Sequence, residues 1–168
     1  MTKRASAKST GQSAYLPDDE VAAWQGLLHV SGRVLRELDA ALRDAHEITV
    51  GEFDVLITLF NAPRMRSRMT ELAERVSLSA AGLSHMVTRL EREKLVAREV
   101  DADDRRGFHA VLTRRGLERL SAARPIHNAV IRRVFLDRIT AKDRRELGRI
   151  WTRVMRSEDR ADQRDGRG

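Results

Sequence analysis

Two apolar-patterned stretches joined by only two residues constrain this chain more than anything else in it. Residues 69–76, MTELAERV, and 79–94, SAAGLSHMVTRLEREK, each have helical spacing, and only Ser77 and Leu78 separate them. At 100° per residue, Leu83, Met86, Val87 and Leu90 share one side of the second stretch, the i, i+3, i+4, i+7 stripe of an amphipathic helix. Ser79 can cap that helix, and Thr70 can cap the shorter one before it. A two-residue link is too short to be a free loop, so the pattern predicts helix, tight turn, helix. The turn contains no glycine.

The side opposite the apolar stripe carries Ala81, Ser84, His85, Thr88, Arg89 and Arg92. Small residues and hydroxyls lie near its N-terminus, where Ser79 also sits, and arginines lie toward its C-terminus. A helix pressed into a DNA major groove needs such a face. Small side chains let the backbone approach, Ser, Thr and His exchange hydrogen bonds with base edges, and Arg reaches guanine or phosphate. An isolated helix with this face would read as an ordinary solvated surface helix; the helix immediately before it favours the DNA reading.

Composition agrees. The 168 residues suffice for one domain with a real core, and at 4% aromatics that core must be built from Leu, Val, Ile and Ala. The formal net charge of +7 favours a polyanionic partner, nucleic acid ahead of a membrane surface. There is no cysteine, which excludes disulfides, thiolate catalysis, zinc-thiolate sites and thiol redox sensing and is compatible with a cytoplasmic location. No apolar run approaches the roughly 20 residues of a membrane span. Residues 1–17 begin with a basic, polar stretch without the apolar centre of a signal peptide and read as a flexible tail.

Residues 18–48 read as a long helix and its exit. Val21, Trp24, Leu28, Ser31, Leu35, Leu38 and Leu42 recur at alternating spacings of three and four, a packing seam interrupted by one serine. Thr49 and Glu52 form a capping box, with Ile48 and Phe53 placed as a hydrophobic staple, and the helix they open must stop before Pro63. Residues 63–68 read as a basic loop. After the paired helices, VAREV and FHAVL alternate as two short strands around DADDRRG, a β-hairpin whose turn carries Arg105 and Arg106. Such a wing can place arginines in a narrow minor groove. Thr113 then caps another helix, which Pro125 should kink or break near Arg124, and Thr140 caps the last. The predicted divisions are 1–17 tail, 18–48 N-terminal helix, 49–112 DNA-binding unit, 113–157 C-terminal helices and 158–168 tail.

This order, with MTELAERV, SHMVTRLEREKLV, DADDRRGFHAVLT and the following RRG, resembles the MarR family of winged helix-turn-helix transcription regulators across roughly residues 20 to 156. The resemblance implies a mainly α fold with a small β-hairpin wing. It implies a homodimer through the N- and C-terminal helices, bound to a pseudo-palindromic operator on double-stranded DNA. It also implies, for many members, release by a small aromatic or phenolic anion; separately, neither a cofactor nor a metal is expected. The family's wing aspartate orients the arginine that enters the minor groove; here Asp104 precedes Arg105 and Arg106, and Arg106 fits best. The family usually has glycine where this chain has Lys94. A non-glycine residue in the left-handed region costs on the order of 1 kcal/mol, so either that strain is borne or the turn differs.

A cleft for the anion is expected where the first, second and fifth helices meet, with Trp24 and His29, Asp54 and His127 as the mixed-character residues able to line it. All four also fit plain packing or surface roles. An enzyme is disfavoured, because His29, His46, His85, His109 and His127 show no zinc-ligand spacing and no phosphate loop or nucleophile motif occurs. The alternative to a sequence-specific repressor is a sequence-indifferent architectural protein of the nucleoid that uses the same basic faces on phosphates.

Overall fold

A computed structural model of the chain describes residues 15–101 and 107–165, with side chains described as far as residue 156. In chain order, α1 spans Asp18–His46, α2 Val50–Asn61, β1 Arg66–Arg68, α3 Met69–Arg75, α4 Ala80–Arg92, β2 Val96–Val100, β3 Phe108–Leu112, α5 Arg114–Val134 and α6 Ala141–Asp165. The winged helix-turn-helix architecture expected from the residues is present. Residues 66–68, read as loop, instead form an edge strand: β1 pairs antiparallel with β3, and the sheet order is β1-β3-β2. Three residues are too short to show alternation, so that strand exists only because β3 offers it a free edge.

Most caps are local. Thr49 and Glu52 complete their capping box, Ser79 accepts from the Gly82 amide at 3.1 Å, and Thr113 accepts from the Gly116 amide at 2.9 Å. Thr140 and Asp143 cap α6 reciprocally. Thr70 does not cap α3, whose N-cap position is Arg68 without a side-chain cap bond. Pro125 does not break α5, which runs continuously past it. The carbonyl deprived of its donor is that of Ser121, an exposed residue where water can replace the missing amide.

Both ends of the helix-turn-helix close without glycine. At the end of α3 the Ser77 amide donates to Glu74 O at 3.2 Å and the Leu78 amide to Ala73 O at 3.0 Å. At the end of α4 the Lys94 amide donates to Glu91 O and the Leu95 amide to Leu90 O, both at 2.9 Å. These are Schellman pairings, with Ser77 at φ 52° and Lys94 at φ 60° in the left-handed position. Lys94 therefore bears the strain that glycine would avoid, and burial of Leu90 and Leu95 on either side of the turn offsets it. Gly116 shows the opposite case. A Cβ there would lie 2.0 Å from the Leu95 carbonyl oxygen, the acceptor that also takes the Thr113 amide at 3.1 Å. The first turn of α5 is thus pressed onto the start of the wing, and only glycine fits.

One core joins Leu42 and Ile48 to Phe53, Val55, Leu56 and Leu59 of α2, Leu72 of α3, Leu83, Val87 and Leu90 of α4, and Ala110, Leu112, Leu120 and Ala123 beyond. A small second cluster, Leu38 with Val130 and Val134, binds α1 to α5. The N-terminal half of α1 is different. Trp24, Leu28 and Leu35 of the expected seam are 53%, 49% and 50% exposed. Leu27, Val30 and Val34 of α1 face Leu147, Ile150 and Trp151 of α6 across an open apolar groove of about 820 Å³. Ser31 fits this surface because its hydroxyl donates to Leu27 O of its own helix at 2.6 Å. Among the described residues no helix is long and apolar enough to cross a membrane.

Candidate nucleic-acid interface

Helix α4 meets the core through Leu83, Val87 and Leu90 and leaves Ala81, Ser84, His85 and Arg92 exposed. Gly51 at the start of α2 lies against α4, where a Cβ would come within 2.9 Å of the Met86 methyl, the flexible end of its side chain. The outward face is therefore the one expected from helical spacing, held by packing on the other side.

Four residues of that face already have partners, one of them Ser84, whose hydroxyl accepts from Arg98 Nη2 at 3.4 Å. Ser79 spends its hydroxyl on the cap. Thr88 is half-buried and donates to Ser84 O at 2.8 Å. Arg89 is ion-paired through Nη2 with Glu52 Oε2, a carboxylate 2% exposed, and lies 3.9 Å from Glu93. The same Glu52 oxygen accepts from the Thr49 amide at 2.8 Å and its hydroxyl at 3.0 Å. The capping box of α2 thus doubles as an anchor for α4, which the sequence does not reveal because the partners are 37 residues apart.

A second clamp was not legible. Arg98 of β2 donates through Nη2 to Ser84 O at 3.1 Å and to Thr88 Oγ1 at 3.2 Å, and its Nε lies 3.4 Å from Glu91 Oε2. It bolts the base of the wing to the middle of α4. The only sequence signal was a lone arginine inside a short strand directly after the paired helices. At the wing itself, the Asp101 amide donates to Gly107 O at 3.0 Å and closes the hairpin. Buried Asp101 pairs with Arg68 of β1 at 2.7 Å. Arg105 and Arg106 lie outside the described residues.

The four residues expected to line one ligand cleft are not brought together. Trp24 lines the α1–α6 groove. His29 is exposed on α1 and does not line that groove. Asp54 and His127 do meet where α2 lies on α5. The His127 ring stacks on Phe53 with centroids 4.2 Å apart and 15° between planes. Loss of water beside α5 raises the Asp54 pKa above its ordinary value, and the nearby His127 partly reverses this. Their mixed character made all four candidates, but α1 is long enough for its upper turns to stand away from α2.

The MarR family model matches residues 48–108, the stretch from the capping box into β3. An HTH-type transcriptional repressor of Mycobacterium bovis is 34% identical over 129 residues, covering 76% of this chain and 90% of that protein. AbsC, a MarR family transcriptional regulator from Streptomyces coelicolor, has a crystal structure that superposes with a TM-score of 0.79. It is 34% identical and covers 86% of this chain and 97% of its own. Sco3205 from the same organism, a MarR family regulator solved in complex with DNA, also gives 0.79, at 32% identity over 85% of this chain and 90% of its own.

Proposed function

The chain belongs to the MarR family of DNA-binding transcriptional regulators and is not an enzyme, and from that premise we propose that it is a cytoplasmic repressor that binds a pseudo-palindromic operator as a homodimer. The observation that carries the reading is the exposed face of α4. Ala81, Ser84, His85 and Arg92 are exposed on a helix clamped from behind by Glu52 and from the side by Arg98. A rigid helix with a small, polar, partly basic surface suits direct reading of base edges. In this reading Arg92 reaches guanine or phosphate, Arg106 with Arg105 enters the minor groove, and Arg89 and Thr88 position the helix more than they touch bases. The apolar α1–α6 groove supports the dimer: an exposed surface of this size and character needs a cover, and a second copy offers the same helices.

The effector part of the proposal moves to the α2–α5 contact. An aromatic or phenolic anion there would meet the Phe53–His127 stack and Arg124, whose guanidinium lies 5.5 Å from the Phe60 ring centroid. Selection of genomic DNA fragments on the purified protein tests the first part. An enriched inverted repeat is expected; equal retention of random DNA would favour the architectural alternative. Salicylate-like acids should raise the melting temperature of the protein by mass action and lose that effect in His127→Ala.

A further inference from the structure

The sheet has a second charged feature on the edge away from α4. Beside β1, a pocket of about 350 Å³ opens between the turn after α2, helix α3 and His109 of β3. Arg64, Arg66, Arg68 and Arg75 line it, with Glu71 as the only acid among the lining residues. Two of the arginines have acidic partners outside the pocket: Arg68 pairs with Asp101 at 2.7 Å, and Arg66 lies 3.7 Å from Glu99. Glu71 accepts from the Ser67 hydroxyl at 3.3 Å. The side chains of Arg64 and Arg75 have no ion pair or hydrogen bond among the described residues, and both residues are exposed. His109 adds a ring that is 15% exposed, with a buried Nδ1 that has no hydrogen-bond partner among the described residues and lies 3.8 Å from Asp101. Arg64 also sits at φ 57°, in a turn that holds Met65 at φ 54° as well. Two successive left-handed non-glycine residues are costly, and such strain persists where the surroundings over-determine it.

We propose that this pocket receives a phosphate group, gripped by the guanidiniums of Arg64 and Arg75. Each guanidinium is a planar fork of five N–H donors matched to phosphate oxygens. Several forks around one space suit a tetrahedral anion with oxygens in several directions better than a flat carboxylate. The space admits a phosphate or a small phosphorylated molecule and is too open to enclose an apolar ligand. Without an anion, the two unpaired charges repel each other and their two paired neighbours. The phosphate has two possible sources. One is the DNA backbone flanking the half-site, so that the lobe holds the duplex from the β1 edge as well as from α4; this source rests on the function proposed above. The other is a free phosphate anion, and it does not.

The test uses full-length protein carrying Arg64→Asn together with Arg75→Ala, asparagine being tolerant of the left-handed backbone, and a companion with lysine at both positions. Both sites are exposed, and an unchanged circular dichroism spectrum checks the fold. In the first arm, operator affinity is measured against salt. Loss of two phosphate contacts lowers the slope of log K against log salt by about 1.8, with base preference unchanged and the lysine variant close to wild type. In the second arm, melting temperature is compared in inorganic phosphate and in sodium chloride at equal ionic strength. A rise specific to phosphate in wild type, absent from the Asn/Ala variant, identifies free phosphate as an occupant. A changed slope supports the DNA source, and a phosphate-specific shift alone supports the free anion. If neither quantity changes, the proposal is overturned. Should wild type bind no DNA selectively, the operator reading fails while the second arm still decides the pocket.

Discussion

The winged-helix lobe and the α1–α6 end solve the same problem in opposite ways. In the lobe, every helix finds its cover within the chain: Leu56, Leu72, Leu83, Leu90 and Leu95 are fully buried, and the buried Glu52 has three donors. At the other end, Trp24, Leu35 and Trp151 remain 39–53% exposed around an open apolar groove. Similar apolar periodicity produced both. A stripe of leucines specifies that a helix will be covered, and leaves open whether the cover is the same chain or another.

Substitutions should separate the two regions. The largest effect belongs to the lobe core. Leu90→Ala empties space between α4 and the sheet and should cost about 2–5 kcal/mol of stability, read from chemical unfolding, with no independent change in subunit affinity. If Leu90→Ala costs under about 1 kcal/mol, α4 is not anchored by its buried stripe. Second is the groove: Val30→Glu should leave the lobe folded and raise the dimer dissociation constant about 100-fold, since a buried unpaired carboxylate is costly. Sedimentation of the variant as an unchanged dimer at micromolar concentration would show that another surface joins the subunits.

Arg89→Ala ranks third. It strips buried Glu52 of its only cationic partner among the described residues, so a loss of about 1–3 kcal/mol is expected, together with weaker binding to all operator variants alike. Arg92→Ala should leave stability unchanged. A selective change of base preference in Arg89→Ala would return that residue to the base-reading set. The smallest effect is at Asp39, which joins the two regions by accepting from Arg43 Nε at 2.6 Å and from the Val50 amide at 3.0 Å. These bonds, that to Arg43 foremost, hold its pKa below the ordinary carboxylate value. A depressed folded-state pKa means stability that is present above the unfolded value and lost as pH falls through the folded one. Asp39→Asn should therefore cost only about 0.5 kcal/mol at pH 7, because solvent screens this surface pair, and the difference from wild type should vanish in acid. A gap that persists at pH 2 would assign the loss to packing.

Much of the interface was legible in order and little of it in detail. Caps at Thr49, Ser79 and Thr113 are written in the residues because they act across three positions, and the exposed face of α4 follows from the 100° rule. The partners of Arg89 and Arg98 are not, because nothing local says which acid or carbonyl the fold will bring alongside. The single ligand cleft failed for the same reason: residues on correct faces of three helices meet only if the helices cross at the right height.

What the residues determined alone were the helices, the wing strands, the caps at Thr49, Ser79, Thr113 and Thr140, the buried face of α4 and the membership of a DNA-binding fold, since each depends on periodicities and hydrogen bonds spanning a few positions. Tertiary structure decided the third strand, the clamps on α4, the tolerance of Lys94 at φ 60° and the need for Gly116 against the Leu95 carbonyl. Those are contacts between segments distant in sequence, and they exist only once the core has set how closely the segments approach.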